Sequence, residues 1–229
     1  MLMATDIPTI LPSEGIITRR LAGWLVPGQY SQGWALEQLN ILPYQHLLEV
    51  GYGAGKMIQT VARKLKIGFI AGIDNSVSMY QRATRRNKRA IEDQLLQLHV
   101  GSLYDLPYPS YYFHTIYGTN PHLSWKDPAM EFLRLSNLLR TGGRLVTILQ
   151  PQWSLQENVR RTGSGRKVTC SPEVSNVCPS DNEPPVRSKI RATMEQVQEH
   201  YVEAGLTDIR IRYKDADMPT AIAITGYKA

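Results

Sequence analysis

A glycine-rich turn follows a short apolar run near residue 50 and has the clearest chemical meaning in the sequence. Gly51, Gly53 and Gly55 alternate directly after the run 47–50, and a helical pattern begins at once. Glycine lets the backbone adopt positive φ and pass close to a ligand. The first N–H groups of the following helix are unpaired and favour a negatively charged ligand group. This pattern predicts a nucleoside-binding turn at the carboxyl end of a strand.

An acidic residue in the expected place strengthens this prediction. Asp74 ends the next apolar run, 19 residues after Gly55, where a carboxylate can accept hydrogen bonds from two ribose hydroxyls. Dinucleotide-binding turns have the spacing G-x-G-x-x-G, whereas this turn has G-x-G-x-G and is preceded by Glu49 inside the strand. A carboxylate there is unfavourable for a pyrophosphate but suits an ammonium group. S-adenosylmethionine carries an ammonium, a carboxylate and a ribose, and is the cofactor that we expect.

Four segments resemble the motifs of class I S-adenosylmethionine-dependent methyltransferases. Within that superfamily the chain is similar to the small-molecule type that includes the ubiquinone and menaquinone C-methyltransferases. Residues 47–55 are similar to the first family motif and residues 72–76 to the second. Residues 101–108 resemble the segment G-D-A-x-x-L-P-F, and residues 139–145 resemble the turn L-K-P-G-G-x-L. The resemblance therefore implies a methyltransferase.

The resemblance implies roles for individual residues in cofactor binding. Gly51, Gly53 and the backbone near Tyr52 would face the methionine part of the cofactor. Glu49 would hold the ammonium group, directly or through water, and Asp74 would bind the ribose.

Further contacts are implied for the adenine, the sulfonium and the open side of the cofactor. Asn75, Met79 and the segment Ser102–Leu103 would lie at the adenine. Gly118, at the end of the fourth strand, would lie near the sulfonium, and Tyr30 would cover the cofactor from an N-terminal cap.

Three positions depart from the family pattern. Ser102 stands where the family usually has Asp, which predicts weaker or water-mediated adenine recognition. His114 replaces an Asp after Phe113, and Thr141 replaces the Pro of the turn before strand five. None of these changes removes the glycines or Asp74, so we expect cofactor binding to survive.

The candidates for acceptor chemistry lie in residues 118–125. Methyl transfer requires a nucleophile placed in line and a dry site, and a base only when the nucleophile must lose a proton. His122 is the predicted catalytic residue, as a base or by orienting a substrate oxygen; the alternative is a structural histidine. Asn120 and Pro121 resemble the start of the [D/N]-P-P-[Y/F] motif of amino-group methyltransferases, but Leu123 stands in place of its aromatic residue.

Alternating strand and helix patterns place these residues in an α/β fold. Strands are predicted at 46–50, 68–73, 96–100, 113–118, 144–149, 208–213 and 221–226. Helices are predicted at 35–42, 57–65, 77–90 with Ser76 as N-cap, 129–139 with a stop at Gly142 and Gly143, and 194–204. Together with the resemblance, this indicates a Rossmann-like class I methyltransferase fold. It would have a seven-stranded, mostly parallel sheet, a terminal antiparallel hairpin and an N-terminal helical cap.

The length of 229 residues fits a single domain. Residues 1–40 form the predicted helical cap, either packed over the sheet or covering the active site, and residues 41–150 form the cofactor-binding core. Residues 151–193 are rich in glycine and proline and are predicted to be a long irregular insert or lid. Residues 194–229 complete the domain with a helix and a hairpin.

Composition narrows the classes of partner. With 26 basic and 20 acidic residues the net charge is +6, a mild excess from which nucleic-acid binding does not follow. The longest apolar stretches are far below the ~18 residues that span a bilayer, so we expect a cytoplasmic protein. The arginines of residues 82–89 form either a solvated helix face or a contact for an acidic partner or nucleic acid.

The expected function is methyl transfer from S-adenosylmethionine to a small-molecule acceptor with an O, N or activated C nucleophile, without a metal. The alternatives are a methyltransferase that acts on RNA or protein, and a non-enzymatic member of the fold that only binds the cofactor. The sequence leaves the oligomeric state open.

Overall fold

One seven-stranded sheet organises the computed structural model, which describes residues 32–150, 185–214 and 220–229. The strands are β1 (His46–Val50), β2 (Phe69–Asp74), β3 (Leu96–Val100), β4 (Phe113–Thr119), β5 (Leu139–Leu149), β6 (Leu206–Lys214) and β7 (Ala221–Lys228). Their order is β3-β2-β1-β4-β5-β7-β6. Strands β1 to β5 are parallel, and β7 is antiparallel to β5 and β6. The predicted sheet is confirmed.

Helices cover both faces of this sheet. They are α1 (Gln32–Leu39), α2 (Lys56–Ala62), α3 (Val77–Arg86), α4 (Lys88–Glu92), α5 (Pro128–Leu138) and α6 (Pro185–Glu203). Two 3₁₀ turns, Leu103–Asp105 and Pro121–Ser124, follow β3 and β4. Strand order reverses between β1 and β4, which makes the carboxyl ends of these strands the expected place for a ligand.

Two apolar clusters hold the helices against the sheet. One contains Ile116, Phe132 and Tyr201 and lies under α5 and α6. The other contains Leu47 and Ile58 and lies under α1, α2 and α3. Because the central strands are covered on both faces, their side chains are almost all apolar and buried. An acidic residue in such a strand, as in β1, therefore needs a specific partner.

The predicted helix 77–90 begins as expected but is interrupted at Asn87. The Oγ of Ser76 accepts a hydrogen bond from the N–H of Met79, which confirms Ser76 as N-cap. The buried side chain of Asn87 donates to the carbonyl oxygens of Gly55 at 3.1 Å and Ala83 at 2.9 Å. A side chain that binds backbone groups in this way competes with the helix. The side chain of Asn87 therefore links the end of α3 to the glycine turn.

Two predictions differ from the structure. The helix predicted at 129–139 is confirmed to within one residue as α5, but the stop at Gly142 and Gly143 is wrong, because β5 begins at Leu139 and not at Arg144; Gly142, with φ +73°, lies within β5 near its shift in register against β4. The insert of 151–193 is helical from Pro185, since proline suits the first turn of a helix. Residues 151–184 and the cap residues 1–31 lie outside the described residues. Among the helices that the structure describes, none is long and apolar enough to cross a bilayer.

Candidate active site

The glycine turn leads from β1 into α2 with positive φ at each of its three glycines. The φ values are +76° at Gly51, +52° at Gly53 and +73° at Gly55. A Cβ added at Gly51 or Gly53 would meet no heavy atom within 4 Å, so both residues face open space. A Cβ at Gly55 would lie 2.6 Å from Nδ2 of Asn87 and 2.8 Å from Cβ of Ala83. The first two glycines therefore leave room for a ligand, and the third lets α3 pack closely.

Asp74 ends β2 and binds the glycine turn from the side. Its Oδ2 accepts a hydrogen bond from the N–H of Gly53, and its Oδ1 accepts one from the N–H of Ser76, both at 2.9 Å. A carboxylate oxygen has two lone pairs, so each can also accept a bond from a ligand hydroxyl. Each oxygen of the half-buried carboxylate is therefore bonded to the backbone and can still accept a hydrogen bond from a ribose hydroxyl.

A cavity of about 310 Å³ lies at the carboxyl ends of β1, β2 and β3. Five of the predicted cofactor contacts line it, namely Gly51, Asp74, Asn75, Ser102 and Leu103. The opposite wall comes from the segment between β4 and α5 and from α5 itself, and includes Ser124, Trp125, Lys126 and Glu131. The structure therefore brings together residues that lie up to 80 positions apart in the sequence.

The other predicted cofactor contacts do not line this cavity. Among the described residues they are Glu49, Tyr52, Gly53, Met79 and Gly118, whereas Tyr30 lies outside the described part. The side chain of Tyr52 is buried and donates its hydroxyl to the carbonyl oxygen of His99 at 3.0 Å. A Cβ at Gly118 would lie 2.7 Å from the carbonyl oxygen of Val50, so close strand packing requires glycine there. Their ligand roles stay predictions.

Glu49 is buried inside β1, with 5% of its surface exposed. The hydroxyl of Tyr117 donates a hydrogen bond to its Oε2 at 2.9 Å. Burial raises the pKa of Glu49 to about 8; the Tyr117 hydrogen bond opposes this shift and the charge of Asp74 adds to it. The carboxyl group therefore keeps its proton at neutral pH, and a nearby ammonium group would favour its ionised form.

His122 lies in the 3₁₀ turn after β4, beside the cavity but outside its lining. Both ring nitrogens are buried, and neither has a hydrogen-bond partner in the described ranges. Burial lowers the pKa of His122, and the neighbouring His200 of α6 lowers it further. The ring is therefore neutral at physiological pH, a form that can accept a proton. Its catalytic role stays a prediction.

Sequence reasoning missed Glu131, which lines the cavity from the first turn of α5. Its Oε2 is buried without a hydrogen-bond partner in the described part of the chain. Burial, and then the charge of Asp127, raises the pKa of this carboxyl group. The signal was present in the pair Asp127 and Pro128, which begins a helix and places Glu131 at the carboxyl edge of the sheet.

Metal ligation has no support in residues 32–150, 185–214 and 220–229, where no group of three or more His, Cys, Asp or Glu side chains could hold an ion. The open glycines, the carboxylate of Asp74 and the cavity beside them fit a nucleoside with a polar tail instead. The donor set therefore matches S-adenosylmethionine.

Comparison of the sequence with known proteins gives two results. Residues 47–143 match the family model described as a methyltransferase domain. The chain is also 24% identical over 210 residues to the uncharacterized methyltransferase YdaC of Bacillus subtilis (strain 168), which covers 91% of this chain and 98% of that protein.

Solved structures share the fold at low sequence identity. A methyltransferase from Aquifex aeolicus that depends on S-adenosylmethionine has a TM-score of 0.62 at 13% identity, covering 92% of this chain and 98% of that one. The geranyl diphosphate C-methyltransferase of Streptomyces coelicolor A3(2) was crystallised with Mg²⁺, geranyl diphosphate and S-adenosyl-L-homocysteine. It has a TM-score of 0.58 at 15% identity, covering 86% of this chain and 78% of that one.

The fold, the cavity and these comparisons agree. The sheet is mostly parallel with a terminal antiparallel hairpin, as predicted, and the segment that matches the family model contains the glycine turn and Asp74. Residues 47–143 therefore match a methyltransferase domain, and the chain has the fold of methyltransferases that depend on S-adenosylmethionine.

Proposed function

We propose that this methyltransferase acts on a small molecule with an O, N or activated C nucleophile. The observation that carries the proposal is the cavity at the carboxyl edge, which has two chemically different walls. One wall holds Gly51 and Asp74, and the other presents Trp125 and Glu131. The volume of about 310 Å³ lies within the range of small-molecule sites, roughly 300–1,000 Å³.

The chemistry divides between cofactor and protein. S-adenosylmethionine supplies a methyl group that is already activated for transfer. The chain has to bind the cofactor and the acceptor, orient them for transfer and exclude water from the site. Gly51 and Gly53 leave space for the methionine part, Asp74 holds the ribose, Asn75 and Leu103 lie at the adenine, and Glu49 pairs with the ammonium group.

The acceptor side of the cavity carries a free proton acceptor in this proposal. Glu131 lines the wall, and its Oε2 has no hydrogen-bond partner in the described ranges. A carboxyl group with a raised pKa is a stronger base once it is ionised. Glu131 therefore orients the acceptor and takes its proton where the nucleophile has one to lose. His122, in the 3₁₀ turn between β4 and α5, is the second candidate for this role.

Two resemblances support the small-molecule acceptor. The Streptomyces coelicolor protein of the same fold was crystallised with geranyl diphosphate, a small molecule that it methylates at carbon. The segments 101–108 and 139–145 are similar to those of the ubiquinone and menaquinone C-methyltransferases. Both favour an activated carbon nucleophile over RNA or protein.

The proposal is tested in two steps. Calorimetry should show saturable binding of S-adenosylmethionine and S-adenosylhomocysteine, and a screen of small acceptors with methyl-labelled cofactor should then find a methylated product. Transfer to RNA or protein alone, with RNA binding that weakens steeply with salt, would contradict the small-molecule acceptor.

The role of Glu131 has its own test. Glu131→Gln should lower kcat for an acceptor that loses a proton by on the order of 10²-fold and leave S-adenosylhomocysteine affinity unchanged. The matched control is Glu195→Gln, since Glu195 is exposed on α6 and does not line the cavity. Equal kcat values in both variants would assign the proton to another group, with His122→Gln as the next variant.

A further inference from the structure

A second cavity, of about 530 Å³, lies at the opposite edge of the sheet. It opens where β1, β4 and β5 begin, and the end of β7 closes one side. Its walls come from the loop before β1, represented by Tyr44, and from the first residues of β5. The methyl-transfer cavity lies at the carboxyl ends of the same strands, so the two cavities share no lining residue.

The charged side chains that line this second cavity are all basic. Arg140 and Arg144 both line it, and none of its lining residues is an aspartate or glutamate. Arg144 is half-buried and donates Nε to Oγ1 of Thr115 at 3.2 Å and Nη2 to the carbonyl oxygens of Leu39 and Asn40, and its guanidinium also forms a hydrogen bond with the side chain of Tyr227. No ion pair joins either arginine to a carboxylate in the described ranges.

His114 shows that an acceptor is missing at this place. Its Nδ1 accepts a hydrogen bond from the backbone N–H of His46 at 3.1 Å, so in the neutral ring the proton is on Nε2. Burial, with the charge of Arg140, lowers the pKa of His114 and keeps the ring neutral. Its Nε2 lies 2.8 Å from Nη1 of Arg140, so two N–H donors face each other.

An oxyanion would satisfy both donors. Its oxygens can accept from the Nε2–H of His114 and from the guanidinium of Arg140, whose planar fork suits phosphate and carboxylate groups. The same anion would compensate the half-buried charge of Arg144. The cavity is larger than an inorganic ion requires, and the rings of Tyr44 and Tyr227 provide walls for an attached organic group.

We propose that this cavity, at the amino edge of the sheet, is a second ligand site for a small molecule carrying a phosphate or carboxylate group. Arg140 and His114 bind the oxyanion, and Arg144 supplies a second positive charge. This site is separate from the methyl-transfer cavity, so the proposal does not depend on the identity of the methyl acceptor.

The test uses inorganic phosphate and, in a separate titration, acetate, at an ionic strength kept constant with chloride. The amide resonances of Gly142 and Gly143, which line the cavity, should shift saturably in the NMR spectrum with at least one of the two anions. A response to phosphate alone assigns a phosphate ligand, and a response to acetate alone assigns a carboxylate ligand.

Two arginine variants make the result specific. Arg140→Gln should raise the dissociation constant of the anion about tenfold, the loss expected for one charge-assisted hydrogen bond. Arg82→Gln, at an exposed position on α3, should leave it unchanged. Both variants should bind S-adenosylhomocysteine like the parent chain, which shows that they are folded.

Three outcomes would overturn the proposal. The first is no saturable shift with either anion. The second is an equal response in Arg140→Gln and Arg82→Gln. The third is a shift confined to Gly51 and Gly53, which would place the anion in the cofactor cavity instead.

Discussion

The two edges of the sheet hold cavities of opposite chemical character. At the carboxyl edge the charged groups are Asp74, Glu131 and Lys126, and the backbone is open at Gly51. At the amino edge they are Arg140 and Arg144, with no acidic residue in the lining. The same strands thus begin in a basic cavity and end in one that contains acids.

The difference lies in how the charges are held. Both oxygens of Asp74 accept hydrogen bonds from backbone N–H groups, so this charge is part of the framework that shapes the glycine turn. Among the described side chains, the polar contact of Arg140 is with the ring of His114, and that contact brings two donors together. A charge that is bonded to the backbone therefore shapes a site by itself, whereas a charge without an oppositely charged partner is available to bind a ligand.

The largest expected effect separates the glycines of the carboxyl edge. Gly55→Ala should lower the free energy of unfolding by about 2–4 kcal/mol, because left-handed strain adds to overpacking against Asn87 and Ala83. Gly51→Ala should cost only about 1–2 kcal/mol, since its Cβ meets no heavy atom within 4 Å. Denaturant unfolding measures both. In calorimetry Gly51→Ala should weaken cofactor binding; affinity unchanged from the parent would show that no ligand approaches this turn.

A second prediction compares the two kinds of charge directly. Asp74→Ala should weaken S-adenosylhomocysteine binding by ~1–3 kcal/mol and also destabilise the fold, because it removes the acceptor for two backbone N–H groups. Arg140→Gln should change the free energy of unfolding by less than about 0.5 kcal/mol, since the side chain is exposed. Thermal unfolding and calorimetry measure these effects. Equal destabilisation by the two substitutions would remove the distinction between the edges.

A third prediction concerns pH dependence, an effect that is spread over several pH units. Folded Glu49 keeps its proton up to about pH 8, whereas its unfolded pKa is 4.5, so the folded state binds more protons between these values. Stability should therefore fall as pH rises from about 4.5 to 8, and Glu49→Gln should flatten this part of the profile. Denaturant midpoints measured across this range give the slope. A parallel profile in the variant would mean that Glu49 titrates normally in the folded chain.

Local patterns were sufficient for the elements near the site. The bounds of β1 and β3 agree with the prediction, because each is a short strand bounded by turn residues on both sides. Gly51 and Asp74 line the cavity at the carboxyl ends of these strands, and their roles in cofactor binding stay predictions. The break at Asn87 was not predicted, since its cause is a contact with Gly55, 32 residues earlier in the sequence.

The sequence by itself determined the chemistry of the carboxyl edge. Glycines at alternate positions, followed by an acid at the end of the next strand, have one local geometry in a parallel sheet. Tertiary structure alone decided which distant residues join that edge, such as Glu131, and which meet at the other, such as His114 and Arg140. Strand order and register set those encounters, and both depend on the packing of the whole sheet rather than on any local pattern.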